Sequence, residues 1–474
     1  MLVYLTLLSL VVCLLSQKYT PDWDSIDSRP LPDWYDRSKF GIFCHWGVYS
    51  VPAYRSEWFW WYWKGSQPDP NLVSYVDKNY KPGTTYADFA KDFTAEWFNP
   101  DEFADIVSAA GARYFVFTSK HHEGFTMWPS KTSWNWNSVD VGPKRDIVGD
   151  LKEAFNKTQV HFGLYFSLFE WFHPLFLKDG KENTTYYTKT VSYPQMMELI
   201  TQYEPEVLWG DGEWDKPAEY WKSKEFIAWL YNSSPVKDKI VINDRWGSGT
   251  IGKHGGFLTF SDHYDPGTLQ PHKWENCLTL DRASWGNRRN MKAADVLTVH
   301  EILLQIARTV ACNGNVLLNV GPDNHGRIPP IFEDRLRELG SFLKVHEEAL
   351  YETKPWIYQN DSLTPDVWFT SRYRNLPQKN LYNEQLEKET IVYAWILNNS
   401  QKVYELDHVK VTPKTKVTVL GTNFVLPITQ SGHLNFKNEE IPWLQLPRRD
   451  VFVLKIEYAA SYKRVIKLPN NNYT

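Results

Sequence analysis

The sequence predicts an α/β fold: a (β/α)8-like (TIM-type) barrel followed by a C-terminal antiparallel β-sandwich domain. Three observations carry that reading. Short, near-continuous apolar runs recur over the first three-quarters of the chain, and such runs suit parallel strands buried on both faces. Amphipathic stretches of helical period lie between them. After about residue 355 both give way to short runs rich in β-branched and aromatic residues, with turn residues between. The expected boundaries are 1–16 for an export signal, 17–355 for the barrel and 356–474 for the sandwich.

Taken in order, strands are expected at 39–47, 112–118, 160–166, 206–209, 239–243, 256–260 and 315–320. Val296, Val299, Leu303, Ile306 and Val310 repeat at three- and four-residue spacing, one face of a helix. Pro329 and Pro330 precede a second helix bearing Leu336, Leu339 and Leu343, a position where proline is tolerated. Repeated strand–helix units form a barrel whose working residues sit at the C-terminal strand ends. His45, His121, Tyr165, Asp211 and Arg245 all fall at such ends. Beyond the barrel, 390–396, 416–420 and 451–456 lack helical period and read as sandwich strands.

Composition narrows the function. The formal net charge of the 474 residues is −4 and there is no long basic run, which argues against nucleic acid or an anionic membrane as partner. The 23 Trp, 27 Tyr and 25 Phe exceed what one core can hold. The rings at 58–63 and 134–136 cannot all bury on one face, so they divide between packing and a ring-lined pocket.

Residues 1–16 are almost wholly apolar, too short to span a membrane comfortably, and run into Gln17-Lys18; they read as a secretory signal ending at Ser16. Asn156, Asn183, Asn232, Asn360, Asn398 and Asn472 each open a glycosylation sequon, which fits an exported protein, secreted or lysosomal. Loss of Cys13 with the signal leaves Cys44, Cys277 and Cys312, so at most one internal disulfide is expected. The glycine pattern at 247–252 matches a dinucleotide fingerprint, but His254 and Gly255-Gly256 stand where a phosphate loop needs a hydroxyl and a helix start. It reads as a loop over the barrel mouth.

Two carboxylates framed by tryptophan carry the chemistry: Val-Leu-Trp-Gly-Asp-Gly-Glu-Trp at 207–214 and His-Lys-Trp-Glu at 272–275. Tryptophan presents an apolar face to the C–H side of a pyranose, and glycosidic hydrolysis uses two carboxyl groups. Spacing alone does not separate Asp211 from Glu213, since residues two apart share a strand face. His45, His121, His122 and Glu57 include metal-ligand types, but no metal-binding spacing is present and adjacent strand histidines point to opposite faces, so no metal and no cofactor are expected.

Six stretches together resemble glycoside hydrolase family 29, the α-L-fucosidases, and especially its animal members: Gly41–Gly47, Ser119–Phe125, Trp209–Trp214, Asn243–Gly247, His272–Glu275 and Leu317–Pro322. The resemblance implies a retaining, exo-acting enzyme that removes terminal α-L-fucose from glycoproteins, glycolipids or oligosaccharides. It implies Asp211 as nucleophile and Glu275 as acid/base; Asp262, just past the apolar run ending at Phe260, is a rival for the second role by its place at a strand end. His45, Glu57, His121, His122, Tyr165, Trp209 and Arg245 resemble the family's sugar-binding residues. Gly210 departs from relatives that have serine or asparagine there. Relatives commonly associate, so a homo-oligomer is expected. The alternatives are a fucose-binding, lectin-like protein without turnover, and a retaining glycosidase on another sugar.

Overall fold

The structure, a computed structural model, describes residues 18–429 and 432–461. The proposed signal, Asn472 and the polar tail lie outside the described residues. Seven parallel strands make the barrel sheet: β1 (Phe40–Cys44), β2 (Tyr114–Lys120), β3 (His161–Ser167), β4 (Val207–Asp211), β5 (Val241–Ile242), β6 (Trp274–Thr279) and β7 (Gly314–Val320). Their order is β5-β4-β3-β2-β1-β7-β6. The gap between β5 and β6 is spanned by 256–258, where Gly256 and Phe257 donate to the Ile242 carbonyl and Leu258 bridges Trp274. The strand expected at 256–260 is therefore an irregular closing segment. The strand at 274–279 has no counterpart among the strands expected from the sequence.

Alternation along each strand builds two cores. On β1 and β2, Ile42, Phe115 and Phe117 face outward into the helical layer, while Phe43, Tyr114 and Val116 face the barrel interior. Tyr35, Tyr165, Val207, Trp209, Phe257, Cys277 and Leu317 complete the interior packing. The helices Val299–Ala311 and Pro330–Val345 lie at the stretches expected, except that the first starts after its cap Thr298 and leaves Val296 extended ahead of it.

The C-terminal part has one five-stranded antiparallel sheet, order β12-β14-β10-β9-β8, and a separate β11–β13 pair. These are β8 (Lys354–Asn360), β9 (Val367–Tyr373), β10 (Thr390–Ile396), β11 (Val403–Val411), β12 (Lys416–Val419), β13 (Gly432–Lys437) and β14 (Phe452–Glu457). Strand β10 shows why this region reads as continuous apolar runs. Its Val392, Ala394 and Ile396 pack between the two sheets, while Tyr393 and Trp395 pack against the barrel's helical layer. Both faces of the sheet are buried, so polar alternation is lost. Asp36 ties the two parts together, accepting from Lys39, Lys273 and, from β8, Lys354 at 2.6–2.8 Å.

Cys44, Cys277 and Cys312 are all buried free thiols, so the one disulfide that the count allowed does not form among them. No helix among the described residues is long and apolar enough to cross a membrane.

Candidate active site

A cavity of about 440 Å³ opens at the C-terminal ends of the barrel strands. It is lined by Phe43, His45, Glu57, Trp58, His121, His122, Tyr165, Trp209, Asp211, Trp214, Arg245, Asp262 and Trp285. A larger cleft, about 1670 Å³, lies outside the barrel and is lined by none of these residues.

Asp211 ends β4 two residues beyond Trp209, so both point inward. Three groups converge on it. Tyr165 donates its hydroxyl to Oδ2 at 2.6 Å, Arg245 Nη1 reaches Oδ1 at 3.1 Å, and His122 Nε2 lies 3.4 Å from Oδ2. Gly212 follows with φ +76°, which turns the chain out of strand geometry and breaks the alternation that made Glu213 a rival. Glu213 does not line the cavity. It is buried beside Asp211, and desolvation, then that neighbouring charge, push its carboxyl up to about 7. At Gly210, a Cβ would stand 2.7 Å from the Arg245 carbonyl, and Asn243 brackets its backbone by accepting from its N–H and donating to its C=O. Close approach of the Arg245 segment explains glycine there.

Arg245 follows β5 and joins two carboxylates. Nη1 serves Asp211, Nη2 reaches Asp262 Oδ1 at 2.6 Å, and Nε donates to Thr259. Its guanidinium lies 4.7 Å over the Trp209 ring. Burial alone would lower its pKa, but Asp262 and Asp211 outweigh burial and raise it. Asp262 is held between Phe260 and His263, both at positive φ, and its side chain is 46% exposed at the cavity rim.

The histidines behave differently from the strand reading. Strand β2 ends at Lys120, so His121 and His122 occupy a turn and both line the cavity, their rings 4.1 Å apart. Ser167 donates its proton to the Phe169 carbonyl, so its oxygen accepts from His122 Nδ1–H. Nε2 is thereby turned toward the cavity, beside Asp211 Oδ2. Burial, then His121, push His122 well below the usual histidine range. His45, bonded to Asn319 at 2.7 Å, is pushed down by the same two causes. Glu57 accepts on Oε2 from the backbone N–H of Trp285 and Gly286, both at 3.1 Å, while Ser284 Oγ, 3.3 Å away, has its shorter bond to the Gly286 carbonyl.

Glu275 departs from the role expected of it. It lies at the start of β6, the closed end of the barrel, is fully buried and does not line the cavity. Both its oxygens are occupied: Oε2 accepts from Tyr35 and Tyr114, Oε1 from Trp209 Nε1. An acid/base must reach the glycosidic oxygen, and Glu275 is walled off from the mouth by the Trp209 layer. The carboxylates left at the cavity besides Asp211 are Asp262 and Glu57.

Phe43, Trp58, Trp214 and Trp285 also line the cavity, beyond the residues the sequence pointed to. Phe43 carried a usable signal, being two residues before His45 on the same strand face. The ring cluster at 58–63 divides by helical angle: Trp58 enters the cavity, Phe59 and Trp63 are core, and Trp60 stacks on Tyr86 at 4.6 Å. Among the sequons, Asn156 and Asn183 are exposed, whereas the Asn232 amide donates to the Tyr19 carbonyl and accepts from the Tyr19 N–H.

Comparisons with known proteins give the family. The sequence profile described as Alpha-L-fucosidase matches residues 7–348. A putative alpha-L-fucosidase of Caenorhabditis elegans is 65% identical over 463 residues, 96% of each chain. The plasma alpha-L-fucosidase of Homo sapiens is 51% identical over 412 residues, 85% of this chain and 84% of that one. Among solved structures, the Thermotoga maritima alpha-fucosidase in complex with fucose superposes with a TM-score of 0.75 at 32% identity, covering 92% of this chain and all of the other. A profile match over more than half the length and a relative 65% identical across 96% of each chain lead to one assignment: the chain belongs to the alpha-L-fucosidase family.

Proposed function

We propose that this protein is a retaining exo-α-L-fucosidase in which Asp211 is the nucleophile and Asp262 the acid/base. The observation that carries it is the Arg245 bridge, which holds two carboxylates on one cavity, one deep and one at the rim. Asp211 sits beneath donors from Tyr165 and Arg245, a setting that suits an anion attacking the anomeric carbon. Asp262 is half-exposed where an aglycone must leave.

In the first step an Asp211 oxygen bonds C1 as the C1–O bond breaks and Asp262 gives its proton to the departing oxygen. In the second, Asp262 takes a proton from water, the water oxygen bonds C1, and the Asp211 carboxylate leaves. His45, Glu57, His121 and His122 supply directional bonds to the sugar hydroxyls, and Phe43, Trp58, Trp209 and Trp285 supply an aromatic wall for its C–H faces and methyl group. The substrates are terminal fucose residues of glycoproteins, glycolipids and oligosaccharides. The chain is exported through residues 1–16 to the extracellular fluid or the lysosome. The deciding experiment is hydrolysis of an aryl α-L-fucoside by the mature protein, with the first-formed fucose identified by NMR. Release of the β-anomer first, or no release, overturns the reading.

A further inference from the structure

A buried carboxylate is out of place at the closed end of a TIM-type barrel, where branched aliphatic side chains normally fill the interior. Glu275 is nonetheless there, 0% exposed, among Tyr35, Tyr114 and Trp209, themselves buried to 2% exposure or less. Burying an ion is costly unless both oxygens are bonded. Here they are. Tyr35 and Tyr114 donate to Oε2 at 2.6 and 2.7 Å, and the Trp209 indole N–H donates to Oε1 at 2.9 Å.

Trp209 is the link upward. Its ring is part of the cavity wall. Tyr165 stacks on it with centroids 5.8 Å apart and planes 20° apart, Arg245 lies 4.7 Å over it, and Phe43 packs at 5.2 Å. Tyr165 and Arg245 are two of the three side chains that reach Asp211. An indole in a barrel interior can slide or tilt in its plane; a hydrogen bond on its one polar atom removes that freedom. The two tyrosines fix the carboxylate, the carboxylate fixes the indole edge, and the indole face supports the partners of Asp211.

We propose that Glu275 is a positioning residue that acts through the Trp209 N–H to hold the floor of the fucose cavity. This rests on the assignment of Asp211 and the fucose cavity made above. Glutamine can hold the indole equally well, because its carbonyl accepts from Trp209 and its amide donates to the tyrosine oxygens, whose hydroxyls are free to rotate. An acid/base cannot tolerate that exchange.

The experiment uses the full mature protein with two readouts, L-fucose binding by calorimetry and turnover of fucosides with good and poor leaving groups. Glu275→Gln is expected to keep fucose affinity and both turnover rates within about fivefold of the parent. Replacing Trp209 by the benzothienyl analogue, which keeps the ring and removes the N–H, is expected to weaken fucose binding about tenfold and to slow both substrates equally in a protein that still folds cooperatively. Glu275→Leu should lose fucose binding more severely, but it strands three donors and can fail to fold, so the analogue carries the test. Unchanged fucose affinity in the analogue overturns the proposal. So does a Glu275→Gln variant that loses the poor-leaving-group substrate selectively and is rescued by azide. A parent protein that binds fucose but turns over no fucoside would sink the catalytic reading and leave the fucose-binding comparison intact.

Discussion

The Tyr165 hydroxyl donates to Asp211 Oδ2 across 2.6 Å, from the strand next to the one that Asp211 ends. Parallel pairing sets Tyr165 opposite Trp209, so the phenol reaches one layer up to the carboxylate. A hydrogen bond to a charged group contributes about 1.5–3 kcal/mol, which as transition-state binding is roughly ten- to hundredfold in rate. Tyr165→Phe should lower kcat for an aryl fucoside by that factor with the fold intact. A change below twofold would remove Tyr165 from the support of the nucleophile.

Asp211→Gly should lose about a thousandfold or more in turnover, since it removes the covalent catalyst. Azide can enter the space vacated and should yield the inverted β-fucosyl azide. Product stereochemistry is the check: retained azide, or activity that survives until Glu213 is also changed, would assign the nucleophile elsewhere.

Asp262 and Glu57 are separable by leaving group. Asp262→Ala should harm poor leaving groups most, accumulate the fucosyl-enzyme on good ones, and give the retained α-fucosyl azide. Glu57 Oε2 already accepts from the backbone N–H of Trp285 and Gly286, so Glu57→Gln should raise KM for good and poor leaving groups alike. The reverse pattern would exchange the two roles.

His346 follows the helix Pro330–Val345, stacked on Phe342, and burial lowers it to about 4. Unfolded histidine titrates near 6.5, so between about pH 6.5 and 4 the unfolded chain binds a proton that the folded one does not. Stability contributed by the neutral ring is full above that window and falls through it, by about 3 kcal/mol at the lower end. His346→Gln should therefore show a shallower fall in melting temperature from pH 6.5 to 4 than the parent. Parallel curves would refute it.

The hub at Asp36 predicts a second loss of stability on acidification, in a lower pH window. Burial alone would raise this carboxyl, but Lys273, Lys39 and Lys354 outweigh it and hold it well below the usual range. Its contribution is present above about pH 4 and is lost only as pH falls below that. Asp36→Ala strands three mostly buried ammonium groups and should destabilise the protein by about 3–5 kcal/mol at neutral pH. A denaturant midpoint within error of the parent would show that the lysines find other partners.

Much of the architecture was written in local patterns. Apolar runs marked β1 to β4 and β7 because strands buried on both faces need no polar alternation, and the periodic leucines marked the helix Pro330–Val345. Residues closing those runs, His45, Tyr165 and Asp211, were legible as cavity residues because a parallel barrel brings all strand ends to one rim. What the chain did not reveal locally was depth. Trp274-Glu275 and Trp209-Gly-Asp211 look alike as sequence, each a carboxylate beside tryptophan, yet one begins a strand and the other ends one. Only the strand register, which sets Trp274 against Gly314 at the closed end and Asp211 against Ser167 at the mouth, decides which carboxylate meets the sugar. The turn at Gly212, the early end of β2 before His121, and the Arg245 bridge to Asp262 are likewise products of packing. Sequence determined which residues could do the chemistry; tertiary structure decided which of them share a cavity, because burial and hydrogen-bond partners are properties of position in the barrel and not of the neighbouring residues in the chain.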